Sequence, residues 1–141
     1  MYVVTHCKFF IIHIERCLMM LFIHKKLIRK LTTPYIEANM QICYAQSQTF
    51  ASYSSKTILL LNHDKLIILF LNFFSSKVIH TLEIPVTDLQ EQNYNTGSLL
   101  DALWSFQSND QRWRFRIIKK ILPLGTMQQD FLDFLQHHII R

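Results

Sequence analysis

The sequence predicts a mainly β domain with a helix added: a small, strongly bent sheet or partly open barrel, closed at one end by a C-terminal α-helix and preceded by an N-terminal helical extension. Two observations predict it. Between Gln41 and Lys120 the chain breaks into about seven short segments of β-branched, aromatic and alternating residues, separated by Asn, Asp, Ser and Gly turn signals. One amphipathic stretch at helical spacing then runs to about Ile139. Composition agrees with a globular chain: 50% of the 141 residues are hydrophobic, while two glycines and three prolines exclude a collagenous or linker-dominated sequence.

The front segment, residues 1–31, carries a clean apolar run from Cys17 to Ile23 followed by Lys25, Lys26, Arg29 and Lys30. A membrane span needs about 20 predominantly apolar residues, and Glu15 and Arg16 interrupt this stretch, so a spanning helix is not favoured. Leu18, Leu21, Phe22, Lys25, Ile28 and Arg29 fall near helical spacing, which predicts a helix from Cys17 to about Leu31 with its cations in the last turns. Its apolar face is expected on the sheet; the alternative is an interfacial helix settled in anionic lipid. Met19, Met20 and Met40 also offer alternative translation starts.

Thr32-Thr33-Pro34 breaks the helix, because the residue before proline is pushed toward extended geometry and proline donates no backbone hydrogen bond. The domain boundary is placed here, giving an extension of residues 1–31 and a domain of residues 32–141. Gln41 to Phe50 reads as the first strand. A Ser- and Tyr-rich loop follows, then a hairpin of Thr57–Leu61 and Leu66–Leu71 around Asn62-His63-Asp64-Lys65. The returning strand is apolar on both faces, so its outer face needs a cover: the front helix, or a partner chain docking at Ile67, Leu69 and Leu71. Val78 to Ile84 alternates with His80 facing the core edge, and Pro85 ends it.

A polar strand to Asn95 leads to a turn at Gly97. Then Leu100, Ala102, Trp104 and Phe106 alternate toward a turn at Ser108–Gln111. The next strand has the clearest pattern in the chain: Trp113, Phe115 and Ile117 on one face, Arg112, Arg114 and Arg116 on the other, extended by Lys119 and Lys120. That basic row offers paired hydrogen bonds to phosphate. It also serves as a solvated face that discourages edge pairing, with cross-strand Asp101 in support. After Pro123-Leu124-Gly125, Thr126 and Gln129 form a T-x-x-Q capping box. Met127, Phe131, Phe134, Leu135 and Ile139 make the inward stripe, and Gln128, Asp130, Asp133 and His137 lie outside it.

Charge and cysteines narrow the function classes. The net charge of +5 is uneven, with basic ends (1–40 and 111–141) around a mildly acidic middle. Cys7, Cys17 and Cys43 are an odd set without a CxxC pair, which points to a reducing, cytoplasmic compartment. No histidine pairs at i, i+4 beside a carboxylate, and no nucleophile has a base placed with it, so no metal, cofactor or enzymatic activity is expected. Nucleic acid is not favoured, because the basic strand carries its aromatic residues on the opposite face.

In their order, these segments resemble the bacterial pleckstrin-homology-like domains of the YokE-like kind over about residues 32–138. Leu59-Leu60-Leu61-Asn62-His63-Asp64-Lys65-Leu66-Ile67 is similar to the family's strand-turn-strand, and Ile84-Pro85-Val86-Thr87-Asp88-Leu89 to its isoleucine-proline-led segment. The resemblance implies seven bent or barrel-like strands capped by a helix, in a non-enzymatic module. Phosphoinositide specificity is not implied, since only Lys56 lies between Ala51 and Thr57, where the phosphoinositide-binding members cluster basic residues. The expected role is a cytoplasmic module that binds a protein partner or itself, through a sheet edge or through Ile67, Leu69 and Leu71. The alternative is peripheral attachment to anionic membrane through Arg112, Arg114, Arg116, Lys119, Lys120 and the front helix.

Overall fold

A computed structural model describes residues 23–49, 52–96 and 98–140. Helix α1 (Lys25–Thr32) is followed by β1 (Gln41–Ser47), β2 (Lys56–Leu61), β3 (Lys65–Leu71), β4 (Val78–Pro85), β5 (Gln90–Asn95), β6 (Asp101–Ser108), β7 (Gln111–Ile118) and α2 (Met127–Phe134), which ends in a wider turn at Leu135–Ile139. The strands form one seven-stranded antiparallel sheet in the order β4-β3-β2-β1-β7-β6-β5. The sheet is open and bent, and the C-terminal helix closes it, an arrangement consistent with the pleckstrin-homology-like fold.

Local chemistry sets the turns. Asn62 folds its side chain back so that Oδ1 accepts the backbone N–H groups of Asp64 and Lys65, both at 2.9 Å. Asn109 and Asp110 take φ of 53° and 61°, the left-handed pair that joins tightly twisted strands. In α1, the imidazole Nδ1 of His24 caps the helix by accepting from Leu27 N at 3.2 Å. Residues 17–22 of the expected front helix lie outside the described residues.

Two apolar layers explain the patterns along the strands. Cys43, Ala45, Leu59, Leu61, Leu66, Ile68, Phe70, Trp104, Phe106, Phe115 and Ile117 turn inward, where Phe131, Leu132, Leu135 and Ile139 close the core. On the opposite face of the first strands, Tyr44, Ile58, Leu60, Ile67, Leu69 and Leu71 pack beneath Ile23, Ile28 and Leu31, with Ile121 and Leu124 completing the layer. The expectation that Ile67, Leu69 and Leu71 offer a face to a partner is therefore corrected. All three are buried, because α1 already lies on that face. This is the cover that a strand apolar on both sides demands.

The sheet parts between β1 and β7. These strands pair only at Gln46–Arg116 and Ser47–Phe115, continued by Gln48 N donating to Arg114 O at 2.8 Å. Further along the strands, α2 inserts Gln128 into the seam. Its Oε1 accepts from Tyr44 N at 2.8 Å, and its Nε2 donates to Tyr44 O at 2.8 Å and to Ile118 O at 2.9 Å. The side chain supplies the ladder bonds that the parted strands cannot make to each other, so Gln128 is fully buried where periodicity alone placed it outside. The capping box is corrected as well. Thr126 Oγ1 bonds Asp130 Oδ2 at 3.0 Å and Gln129 Nε2 donates to Asp133 Oδ1 at 3.0 Å, so neither side chain caps the helix.

Beneath α1, the Tyr44 hydroxyl meets Ser75 Oγ at 3.2 Å, and burial pushes its pKa up to about 12 against the opposing pull of that bond. An unfolded tyrosine ionises near 10, so the contribution is complete below about pH 10 and is lost as pH rises from about 10 to about 12, an effect of about 2–3 kcal/mol. Urea titrations across this window should show stability falling more steeply in the wild type than in Tyr44→Phe. Parallel curves would contradict it.

Candidate interaction surfaces

The basic row of β7 forms as the alternation predicts, but two of its three guanidinium groups are engaged internally. Arg112 donates to Glu91 O at 2.9 Å and to Ser105 Oγ at 3.0 Å, with the Glu91 carboxylate 3.7 Å away. Arg116 pairs with Asp101 on β6, both side chains largely sheltered. Lys119 also turns back on the protein, donating to Ser98 O at 2.6 Å and Thr96 O at 3.3 Å, so it clamps the β5–β6 loop. Arg114 and Lys120 remain exposed, their side chains without a bond to the described residues. The sequence identified Asp101 as cross-strand support. It gave no sign of Glu91, whose approach depends on β5 lying outside β6.

Among the described residues the most exposed pair of adjacent aromatic rings lies on the β3–β4 loop, which no pattern in the sequence marks. Phe73 and Phe74 stand 60% and 66% exposed with ring centroids 5.2 Å apart, edge to face. The backbone beneath them is tied down. Asn72 Oδ1 accepts from Ser76 N at 2.8 Å and Lys77 N at 3.1 Å, and Asn72 N donates to Lys77 O at 2.9 Å. Ser75, at φ 56°, anchors inward on the buried Tyr44 hydroxyl. Lys56 reaches across from β2 to bond Phe73 O, its ammonium 4.0 Å from the Phe73 ring centre.

Further apolar groups surround this tip. Ile79, at the irregularity where β4 pairs with the end of β3, is exposed. Tyr53, from the β1–β2 loop, lies over the half-buried His80 at 3.8 Å between ring centres, with Phe70 at 5.6 Å. His80 is thus a histidine packed at the core edge, as the alternation of β4 predicts.

A cleft of about 520 Å³ lies elsewhere, between the β2–β3 turn, the β4–β5 connection and the end of α2. Its polar wall is occupied: Gln92 accepts from Trp104 Nε1 at 3.1 Å and donates to Ile139 O at 3.3 Å. His63 at its rim packs against Phe134 and His138, at 5.0 and 5.3 Å between centres. Among the described residues no group of three His, Cys, Asp or Glu side chains converges as a metal site. Cys43 is buried, and desolvation holds its thiol well above the ordinary range, which opposes the thiolate a nucleophile requires.

No family model matches the sequence, and no curated protein does. Among solved structures the chain is similar to the hSac2 domain from human phosphoinositide phosphatase Sac2, with a TM-score of 0.41 and 11% identity over 81% of this chain and 79% of that one. None of the described helices is long and apolar enough to cross a membrane.

Proposed function

We propose that the chain is a non-enzymatic, pleckstrin-homology-like interaction module that binds a protein partner through the Phe73–Phe74 tip. The observation that carries this reading is the combination of exposure and order. Two adjacent phenylalanines face solvent on a loop whose backbone is fixed by Asn72, Ser75 and Lys56. Large rigid rings on an ordered loop bind with little further loss of conformational freedom. Tyr53 and Ile79 extend the apolar area, and Asn72, Ser76 and the serines of the β1–β2 loop give it the polar rim of a protein contact.

This reading replaces Ile67, Leu69 and Leu71, which α1 covers, with the loop that follows the same strand. Self-association is the special case in which the partner is a second copy. Phe73→Ser with Phe74→Ser removes the rings while keeping the turn. Affinity for a partner captured on the wild type should fall at least about 100-fold, since truncating each ring at a hot spot costs about 2 kcal/mol. Sedimentation of the chain alone would report the second-copy case. Capture and sedimentation unchanged in the double variant would remove the tip as the contact.

A further inference from the structure

A second exposed surface differs from the tip in its chemistry. Helix α1 fixes Ile28 and Leu31 against the sheet, and so holds Lys25, Lys26, Arg29 and Lys30 toward solvent. No acidic residue occurs between Ile23 and Ile36. Among the described residues none of these four side chains enters an ion pair, whereas Lys65 neutralises Glu37 and Glu83 nearby in the fold.

The β7–α2 connection packs beside the helix. Ile121 and Leu124 share its buried layer, and the Lys25 ammonium lies so near Gly125 that a Cβ there would come within 3.0 Å of it. This connection exposes Lys120 and presents Leu122, 76% exposed, to solvent. Asp130 lines a shallow cleft with Lys25 and Arg29 and is bonded to Thr126.

We propose that α1 and the β7–α2 connection form a docking face for an anionic bilayer surface, separate from the Phe73–Phe74 tip. Cations held in place by a packed helix meet anionic headgroups without a folding cost, and an exposed leucine beside them suits the headgroup–acyl boundary. A nucleic-acid backbone would match the charge but gains nothing from Leu122, and among the described residues no exposed Phe, Tyr or Trp ring stands beside the four α1 cations for base stacking, while the His24 imidazole is engaged in capping the helix. The apolar side of α1 lies on the sheet, as the sequence predicts, and the face inverts the alternative of an interfacial helix: the cations of α1 are what remains for the membrane.

The test is co-sedimentation of the full chain with phosphatidylcholine vesicles, with and without phosphatidylserine, at low and moderate salt. Binding should require phosphatidylserine and weaken as salt rises. Each headgroup cation contributes roughly fivefold, so the exposed set Lys26→Gln, Arg29→Gln and Lys30→Gln should lower partitioning about a hundredfold while the melting temperature holds. Leu122→Asn should lower it several-fold. Phe73→Ser with Phe74→Ser should bind vesicles as the wild type does, which separates this face from the tip.

Absence of binding to phosphatidylserine vesicles would overturn the proposal. So would equal binding by the triple glutamine variant, or loss of binding on Arg114→Gln, which would place the contact on β7. Retention of the wild type by a DNA duplex but not by vesicles would assign the cations to nucleic acid and overturn it as well.

Discussion

Replacing Gln128 with leucine should destabilise the protein by about 3 kcal/mol or more, lowering the melting temperature by about 10 °C. The substitution conserves size and apolar packing against the sheet. It leaves Tyr44 N, Tyr44 O and Ile118 O buried where β1 and β7 have parted and neither strand can satisfy the other. Each abandoned group costs about 1–3 kcal/mol, and the loss falls on the seam that joins the two halves of the sheet. Gln129→Leu is the control. Its side chain is exposed and bonded only to Asp133 one turn on, so its effect should stay within about 0.5 kcal/mol. Thermal or urea unfolding of the two variants side by side measures the difference. Equal stability would mean that the seam does not depend on the side chain.

These neighbouring glutamines mark the limit of what the sequence makes legible. The strand alternation from Ala102 to Ile117 and the two-sided apolar run of β3 report burial directly, because one residue's polarity states which side it faces. The covering helix follows by the same logic, as does the inward stripe of α2 through Phe131, Leu135 and Ile139. Gln128 is different. Its burial follows from the width of a gap between β1 and β7, two strands far apart in sequence, and a polar residue at helical spacing carries no record of that gap.

The proposed contact surfaces are hidden in the sequence for a related reason. In Leu69-Phe70-Leu71-Asn72-Phe73-Phe74 the two exposed rings continue an apolar run, and only Asn72, which begins the turn, signals that the strand has already ended. The arginine row was legible as a face but not as a set of bonds. Arg112 reaches Glu91 only because β5 lies beside β6, and strand order is a property of the assembled sheet. A count of basic residues therefore overstated the charge that β7 offers to a ligand.

Ile28→Asp should release α1 from the sheet and convert the protein into a self-associating species. Ile28 is fully buried among Ile58, Leu60, Ile67, Leu69 and the connection at Ile121. Loss of its burial costs about 2–5 kcal/mol, and a carboxylate at this position has no cationic partner within the layer, so undocking the helix is cheaper than keeping the charge inside. The inner core around Trp104, Phe115 and Phe131 does not include Ile28, so the sheet should persist with its outer face bare. Sedimentation velocity over a concentration series should then show Ile28→Asp associating more strongly than the wild type, and Lys26→Asp, whose side chain is already in solvent, sedimenting as the wild type does. A monomeric Ile28→Asp with an unchanged melting temperature would show that α1 is not the cover. The expected result makes Ile67, Leu69 and Leu71 a latent contact: the sequence marks them as apolar enough to bind a partner, and the chain's own helix takes that place.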